Sequence, residues 1–200
     1  MNFYQEITLI DHVEISAYFI WSKLYGQLHL AFVVPKDESH QVALAVSFPQ
    51  YQYDLEKKKI TLGKKIRIFA KTREALMVLN LNHWLARLTD YVEIKQIEEV
   101  PKDVSGYAIY QRHQVKSNPE RLARRYAKRH NVSYEEALRI YQSMDMQRTN
   151  LPYVQMKSLS KDQSFRLFIE KKIVDSKSVE ASFTTYGLNS KETAFTVPEF

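Results

Sequence analysis

The sequence predicts an α+β protein: a ferredoxin-like β-α-β-β-α-β domain, followed by a second α+β domain carrying an arginine-rich helix. Three observations point there. Strand-like and helix-like apolar periods follow one another in that order over residues 1–101. A stretch at Pro101–Gly106 then interrupts them. Beyond it, all of the excess positive charge falls in one 19-residue window, Arg112–His130.

Phe3–Ile10 alternates apolar and polar positions and reads as the first strand. Val13–Val34 carries Trp21, Leu24, Leu28 and Phe32 at helical spacing, and Pro35 stops it. Val42–Phe48 reads as the second strand. Ile60–Ala70 is the third, with Ile60, Leu62, Ile66 and Ile68 mostly two apart. Thr72 can cap a second helix bearing Leu76, Leu81, Trp84, Leu85 and Leu88. Val92–Val100 is the fourth strand, ended by Pro101. RNA-recognition domains use the same order of elements. Residues 1–101 are therefore expected to form the ferredoxin-like domain, and residues 102–200 a second domain of linker, basic helix and small sheet.

In that second half, Tyr107–Val115 reads as extended. Ser117-Asn118-Pro119-Glu120 is a helix start: a polar cap, proline in the first turn, then an acid near the positive end of the dipole. The helix should run to about His130. Ser133 and Glu136 form a capping box for another helix, through about Met144. Asp145–Asn150 looks like a loop, and Pro152–Met156, Phe165–Ile173 and Val179–Tyr186 read as strands.

Composition narrows the function. Apolar residues make up 44% of the chain, enough for a core, and its 13 Tyr and 10 Phe can also supply stacking surfaces for bases. The absence of cysteine excludes disulfides, thiol nucleophiles and cysteine-based zinc sites, and suits a cytoplasmic location. Glu6, Asp11 and Glu14 argue against a signal peptide, and no apolar run is long enough for a membrane helix. The histidines lack metal-ligand spacing, and no acidic cluster suggests a two-metal nuclease. Neither a metal nor a small-molecule cofactor is expected.

Between Arg112 and His130 stand seven basic residues and one acid, Glu120; the rest of the chain balances 22 against 22. Focused charge of this kind favours a polyanionic partner. Turned by 100° per residue, Arg121, Arg124, Arg125, Lys128 and Arg129 fall within an arc of about 140°, opposite Leu122, Ala123, Tyr126 and Ala127. One face can dock while the other offers cations whose forks bind phosphates and guanine edges. A helix in an RNA groove argues for a hairpin, where the groove is accessible. DNA binding is the competing reading of the same residues.

The string Arg112-His113-Gln114-Val115-Lys116-Ser117-Asn118-Pro119-Glu120-Arg121-Leu122 resembles the CRISPR-associated repeat endoribonuclease of subtype I-F systems, the Csy-type. Further pieces agree in order: Tyr25-Gly26-Gln27-Leu28-His29, Ser158-Leu159-Ser160, Phe165-Arg166-Leu167-Phe168-Ile169 and Phe183-Thr184-Thr185-Tyr186-Gly187-Leu188, then Val197-Pro198-Glu199-Phe200. The likeness covers nearly the whole chain.

The resemblance implies metal-independent cleavage of repeat RNA just 3′ of a stem-loop, leaving a 5′-hydroxyl and a 2′,3′-cyclic phosphate. It implies that the enzyme stays on the hairpin, with the other subunits of a type I-F surveillance complex as partners. Position by position, His29 matches the catalytic histidine, Ser158 the serine that positions the 2′-hydroxyl, and Tyr186 the tyrosine that orients the histidine. Arg112 and Gln114 match residues that read base edges low in the stem. Arg124, Arg125, Lys128 and Arg129 match the groove-binding row, which Arg121 extends. Phe165 matches the aromatic that stacks on the terminal base pair. Lysine at 128 departs from the arginine-dominated pattern and lacks the fork needed to read a base. Phe165 also shares a strand face with Leu167 and Ile169, so a core role competes with stacking. A non-catalytic hairpin-binding module and a DNA-binding regulator are the alternative readings.

Overall fold

The computed structural model of the chain describes residues 1–115, 119–142, 149–158, 163–179 and 181–200, without the side chains of Pro119, Arg121 and Gln142. It is a mixed α+β structure. In order its elements are β1 (Phe3–Leu9), α1 (Ala17–Val33), β2 (Gln41–Val42), β3 (Ala45–Ser47), β4 (Gln52–Asp54), β5 (Lys59–Thr61), β6 (Lys65–Ala70), α2 (Arg73–Leu79), α3 (Leu81–Trp84), β7 (Val92–Ile94), β8 (Glu98–Glu99) and β9 (Gly106–His113). There follow α4 (Pro119–His130), α5 (Tyr134–Gln142), β10 (Tyr153–Lys157), β11 (Ser164–Val174), β12 (Phe183–Thr184) and β13 (Val197–Glu199). The expected helix cap at Ser117-Asn118, the helix end at Met144, most of the Asp145–Asn150 loop, and Leu159-Ser160 lie outside the described residues.

Two compact units result: residues 1–113 with 151–200, and residues 114–150. The larger holds two main antiparallel sheets and two two-stranded ones, β2-β12 and β4-β5. Of the main sheets, one has the order β3-β6-β1-β7, with β8 also on β1; the other has the order β10-β11-β9-β13. One apolar cluster joins both sheets to α1, with Leu24, Leu28, Phe32, Ile66, Ile68, Phe69, Leu167 and Ile169 fully buried. Burial of that many large apolar side chains is the main term holding the unit together.

Several elements break where sequence periodicity runs on. The first helix starts at Ala17 rather than near Val13, because the Ser16 hydroxyl accepts the Phe19 amide and caps it. The strand expected over Ile60–Ala70 is cut at Gly63, whose φ is +78° and whose added Cβ would sit 2.2 Å from the Gln50 Cβ. The part before the break pairs with β4, and the part after it with β1. Asn80, left-handed at φ +48°, divides the expected second helix into α2 and α3, and its side chain caps the latter. The stretch Val42–Phe48 serves two partners, β2 joining β12 and β3 joining β6. Among the described residues of Val179–Tyr186, only Phe183–Thr184 is a strand.

On β1, Glu6 is 3% exposed yet charged. Burial alone would raise its pKa, but bonds from Lys65 (3.0 Å), Arg67 (2.9 Å) and Lys95 (3.1 Å) hold it down at about 2. Arg67 also donates to the Phe200 carbonyl and lies 4.0 Å over the Phe200 ring, fastening the end of the chain to the sheet.

In the smaller unit, α4 and α5 pack together, burying Ala123 and Ala137. The capping box is formed as expected. The Ser133 amide donates to the Glu136 carboxylate and the Glu136 amide to the Ser133 hydroxyl, each at 3.1 Å.

Candidate functional site

Tyr25 and His29 stand four apart on α1, hence on one helix face. Opposite them is a tight turn, Thr184-Thr185-Tyr186-Gly187, closed by the Gly187 amide donating to the Thr184 carbonyl at 2.7 Å. Gly187 has φ +69°, and a Cβ there would lie 2.7 Å from Val46 Cγ1 and 3.0 Å from Phe32 Cε2. Only glycine lets the turn settle so close to the core. The Gly187 carbonyl accepts the Val46 amide at 3.0 Å, tying the turn to β3.

So anchored, the turn presents two carbonyls to the helix. That of Tyr186 accepts the hydroxyl of fully buried Tyr25 at 2.8 Å. That of Thr185 lies 2.9 Å from His29 Nδ1. A carbonyl can only accept, so Nδ1 carries the proton and Nε2 keeps its lone pair. The His29 ring stacks on Tyr186 at 4.2 Å and 7° from parallel. Together the bond and the stack fix the ring's position and its tautomer.

Arg112, near the end of β9, places its guanidinium 5.2 Å from the Tyr186 ring and 5.6 Å from the Phe165 ring. Its backbone amide donates to the Asn189 carbonyl at 3.1 Å. Buried Asn189 in turn bonds Tyr110 and Phe195 through its side chain, which locks the chain just past the turn. The His29 pKa is lowered. Half-burial is the main cause and the Arg112 charge adds to it, against the Thr185 bond that favours the protonated ring. His29 is thus held as neutral imidazole around neutral pH.

His29, Tyr186, Arg112 and Phe165 therefore form one chain of ring and guanidinium contacts. Phe165 packs against the core cluster while remaining partly exposed beneath Arg112. Ser158 follows the last residue of β10, and its amide donates to the Gln163 carbonyl at 2.8 Å. Helix α1 packs along β10, and Tyr18 meets Tyr153 where both elements begin. Tyr25 and Thr185 are supports that charge and motif arguments did not single out. The i, i+4 spacing of Tyr25 to His29 was the available signal for one; a backbone carbonyl leaves none for the other.

The remaining sequence-predicted residues belong to the smaller unit. Gln114 is exposed at its start. Arg124, Arg125, Lys128 and Arg129 are exposed on α4, and Arg121 lies in the same helix. Arg124 sits 3.6 Å from Glu120, a solvated pair one turn apart. Among the described residues, Arg125, Lys128 and Arg129 have no carboxylate within salt-bridge distance. No group of three or more metal-ligating side chains occurs among the described residues. No helix among them is long and apolar enough to cross a membrane.

Residues 4–200 match the family model described as CRISPR-associated protein (Cas_Csy4). A relative from Escherichia coli (strain UTI89 / UPEC), named CRISPR-associated endonuclease Cas6/Csy4, is 32% identical over 193 residues, covering 96% of this chain and 98% of its own. One of the same name from Pseudomonas aeruginosa (strain UCBPP-PA14) is 35% identical over 189 residues, covering 94% and 96%. A solved structure titled "An RAMP protein binding different RNA substrates" covers 100% of both chains at a TM-score of 0.39 and 10% identity, too remote to carry an argument.

Proposed function

The chain belongs to the CRISPR-associated Cas_Csy4 family, and from that membership we propose that it is the endoribonuclease that matures CRISPR repeat RNA, cutting 3′ of a stem-loop without a metal ion. The observation that carries this reading is the fixed imidazole. His29 donates through Nδ1 to Thr185 and leaves Nε2 as a base. RNA brings its own nucleophile. Nε2 takes the proton of the 2′-hydroxyl, and that oxygen attacks the adjacent phosphorus. The P–O5′ bond then breaks, leaving a 2′,3′-cyclic phosphate and, once the departing oxygen is protonated by the imidazolium or by water, a 5′-hydroxyl. A histidine with a lowered pKa is unprotonated and ready at neutral pH.

The residue roles are those that the family resemblance implies. Tyr186 orients His29, and Ser158 positions the 2′-hydroxyl. Arg112 and Gln114 read base edges low in the stem, and Phe165 stacks on its terminal pair. Arg121, Arg124, Arg125, Lys128 and Arg129 grip the groove, with Lys128 acting as a point charge. Residues 1–101 supply the histidine and residues 102–200 the recognition of RNA. We read the sheet of order β3-β6-β1-β7, with α1 and α2 in its connections, as a ferredoxin-like arrangement. The enzyme stays on its product hairpin and carries it to the other subunits of a type I-F surveillance complex.

Repeat RNA containing the hairpin, incubated with the protein in EDTA, tests the proposal. Cleavage at a single position is expected, and His29→Ala should lose about 10²–10⁴-fold in rate while still binding. Absence of cleavage by the wild-type protein, or full-rate cleavage by His29→Ala, would overturn it.

A further inference from the structure

The face of the β10-β11-β9-β13 sheet that points away from the core has no part in the scheme above. Side chains alternate across a sheet. Val154, Met156, Leu167, Ile169, Ala108 and Tyr110 take the inner face and are buried. The strand register puts Tyr153, Phe168 and His113 opposite one another in a single cross-strand row on the other face. These three rings lie outside the apolar core cluster and are only partly buried. Tyr153 and Phe168 meet edge to face at 5.5 Å. Arg166, one pleat along, lies 4.9 Å over the Tyr153 ring. Exposed Tyr18 adds a further ring 6.4 Å away. Gln155 and Lys157 continue the face, both exposed. Its acid, Glu170, already lies 3.5 Å from Lys172 and 3.9 Å from His113.

Large rings contribute most to folding when they are packed inside. A row of them on the outer face of a sheet, partly exposed and flanked by cations and amides, is instead the arrangement that stacks unpaired bases: every base offers a π-face, and the cations meet the phosphates. We propose that this face binds single-stranded ribonucleotides flanking the hairpin, with bases on Tyr153, Phe168 and His113 and phosphates at Arg166. The inference rests on the RNA-binding reading above and adds a second, sequence-tolerant contact to it.

The test compares equilibrium affinity for three RNAs, each with a 2′-deoxy nucleotide at the cut so that binding alone is read. They are the bare hairpin, the hairpin with a short unpaired 5′ extension, and the hairpin with a short unpaired 3′ extension. At least one extension should tighten binding about tenfold, and the arm that gains identifies the flank. Tyr153→Ser and, separately, Arg166→Ala should each remove most of that gain and leave bare-hairpin affinity unchanged. Tyr153→Phe, which keeps the ring, should retain the gain. If Tyr153→Ser disturbs folding, bare-hairpin affinity falls with it, and Arg166→Ala, exposed on the surface, decides. No gain from either extension, or a gain that survives Arg166→Ala, overturns the proposal while leaving hairpin binding intact. Failure of the wild-type protein to bind any hairpin would instead overturn the function proposed above, and this inference with it.

Discussion

The imidazole of His29 lies face to face with the phenol ring of Tyr186, 4.2 Å between centroids and 7° from parallel. The contact is a flat packing of rings, and the turn beneath it is held through backbone atoms. The Tyr186 hydroxyl should therefore matter less than the ring. We expect Tyr186→Phe to cleave within about tenfold of the wild-type rate and Tyr186→Ala to lose about 100-fold, measured in single turnover. Equal losses in both variants would mean that the hydroxyl, not the stack, is what counts.

The pH profile follows from the direction of the His29 shift. Half-burial, then the Arg112 charge, lowers the pKa from its ordinary 6.5. A base must be unprotonated, so the rate should rise with pH through a midpoint below 6.5 and then level off. Arg112→Gln removes one lowering contribution and should shift the midpoint upward, as read from single-turnover rates at saturating enzyme. A midpoint that stays put or falls would separate Arg112 from the histidine's titration.

Glu6 makes acid stability a second readout. Its folded pKa, about 2, lies below the ordinary 4.5, so its contribution is complete above pH 4.5 and fades as pH falls toward 2. The shift corresponds to stabilisation on the order of 3 kcal/mol. Glu6→Gln should be less stable than wild type near neutrality, and the gap should narrow as pH drops through this window. Denaturant titrations at several pH values check it; a gap independent of pH would contradict the carboxylate's role.

On α4, Arg125→Ala should weaken hairpin binding and reduce the slope of log affinity against log salt by about 1. Arg124 stands beside Glu120, so Glu120→Gln should tighten binding by removing an anion from the gripping face. An unchanged salt slope in Arg125→Ala would mean that the stripe does not touch phosphates.

Local chemistry was the legible part of the fold. The capping box at Ser133 and Glu136, the cap at Thr72 and the basic stripe on α4 each depend on residues a turn apart. Breaks set by distant packing were not legible. Gly63 takes a positive φ where Gln50 leaves no room for a side chain, and Asn80 takes a left-handed conformation that helical periodicity conceals. The same divide runs through the candidate site. His29, Tyr186, Arg112 and Phe165 were named through the family resemblance of the strings that hold them. The Thr185 carbonyl that sets the tautomer was not, because every residue has one and only the fold selects which faces the ring.

One measurement bears most directly on the cleavage chemistry: replacing a single ribose at the cut with 2′-deoxyribose, in a repeat RNA otherwise unchanged and with EDTA present. With the attacking oxygen gone, cleavage should vanish while hairpin affinity stays as it was. Cutting of the deoxy-substituted strand would mean that the nucleophile is not the RNA's own hydroxyl, and the role given to His29 would fail with it.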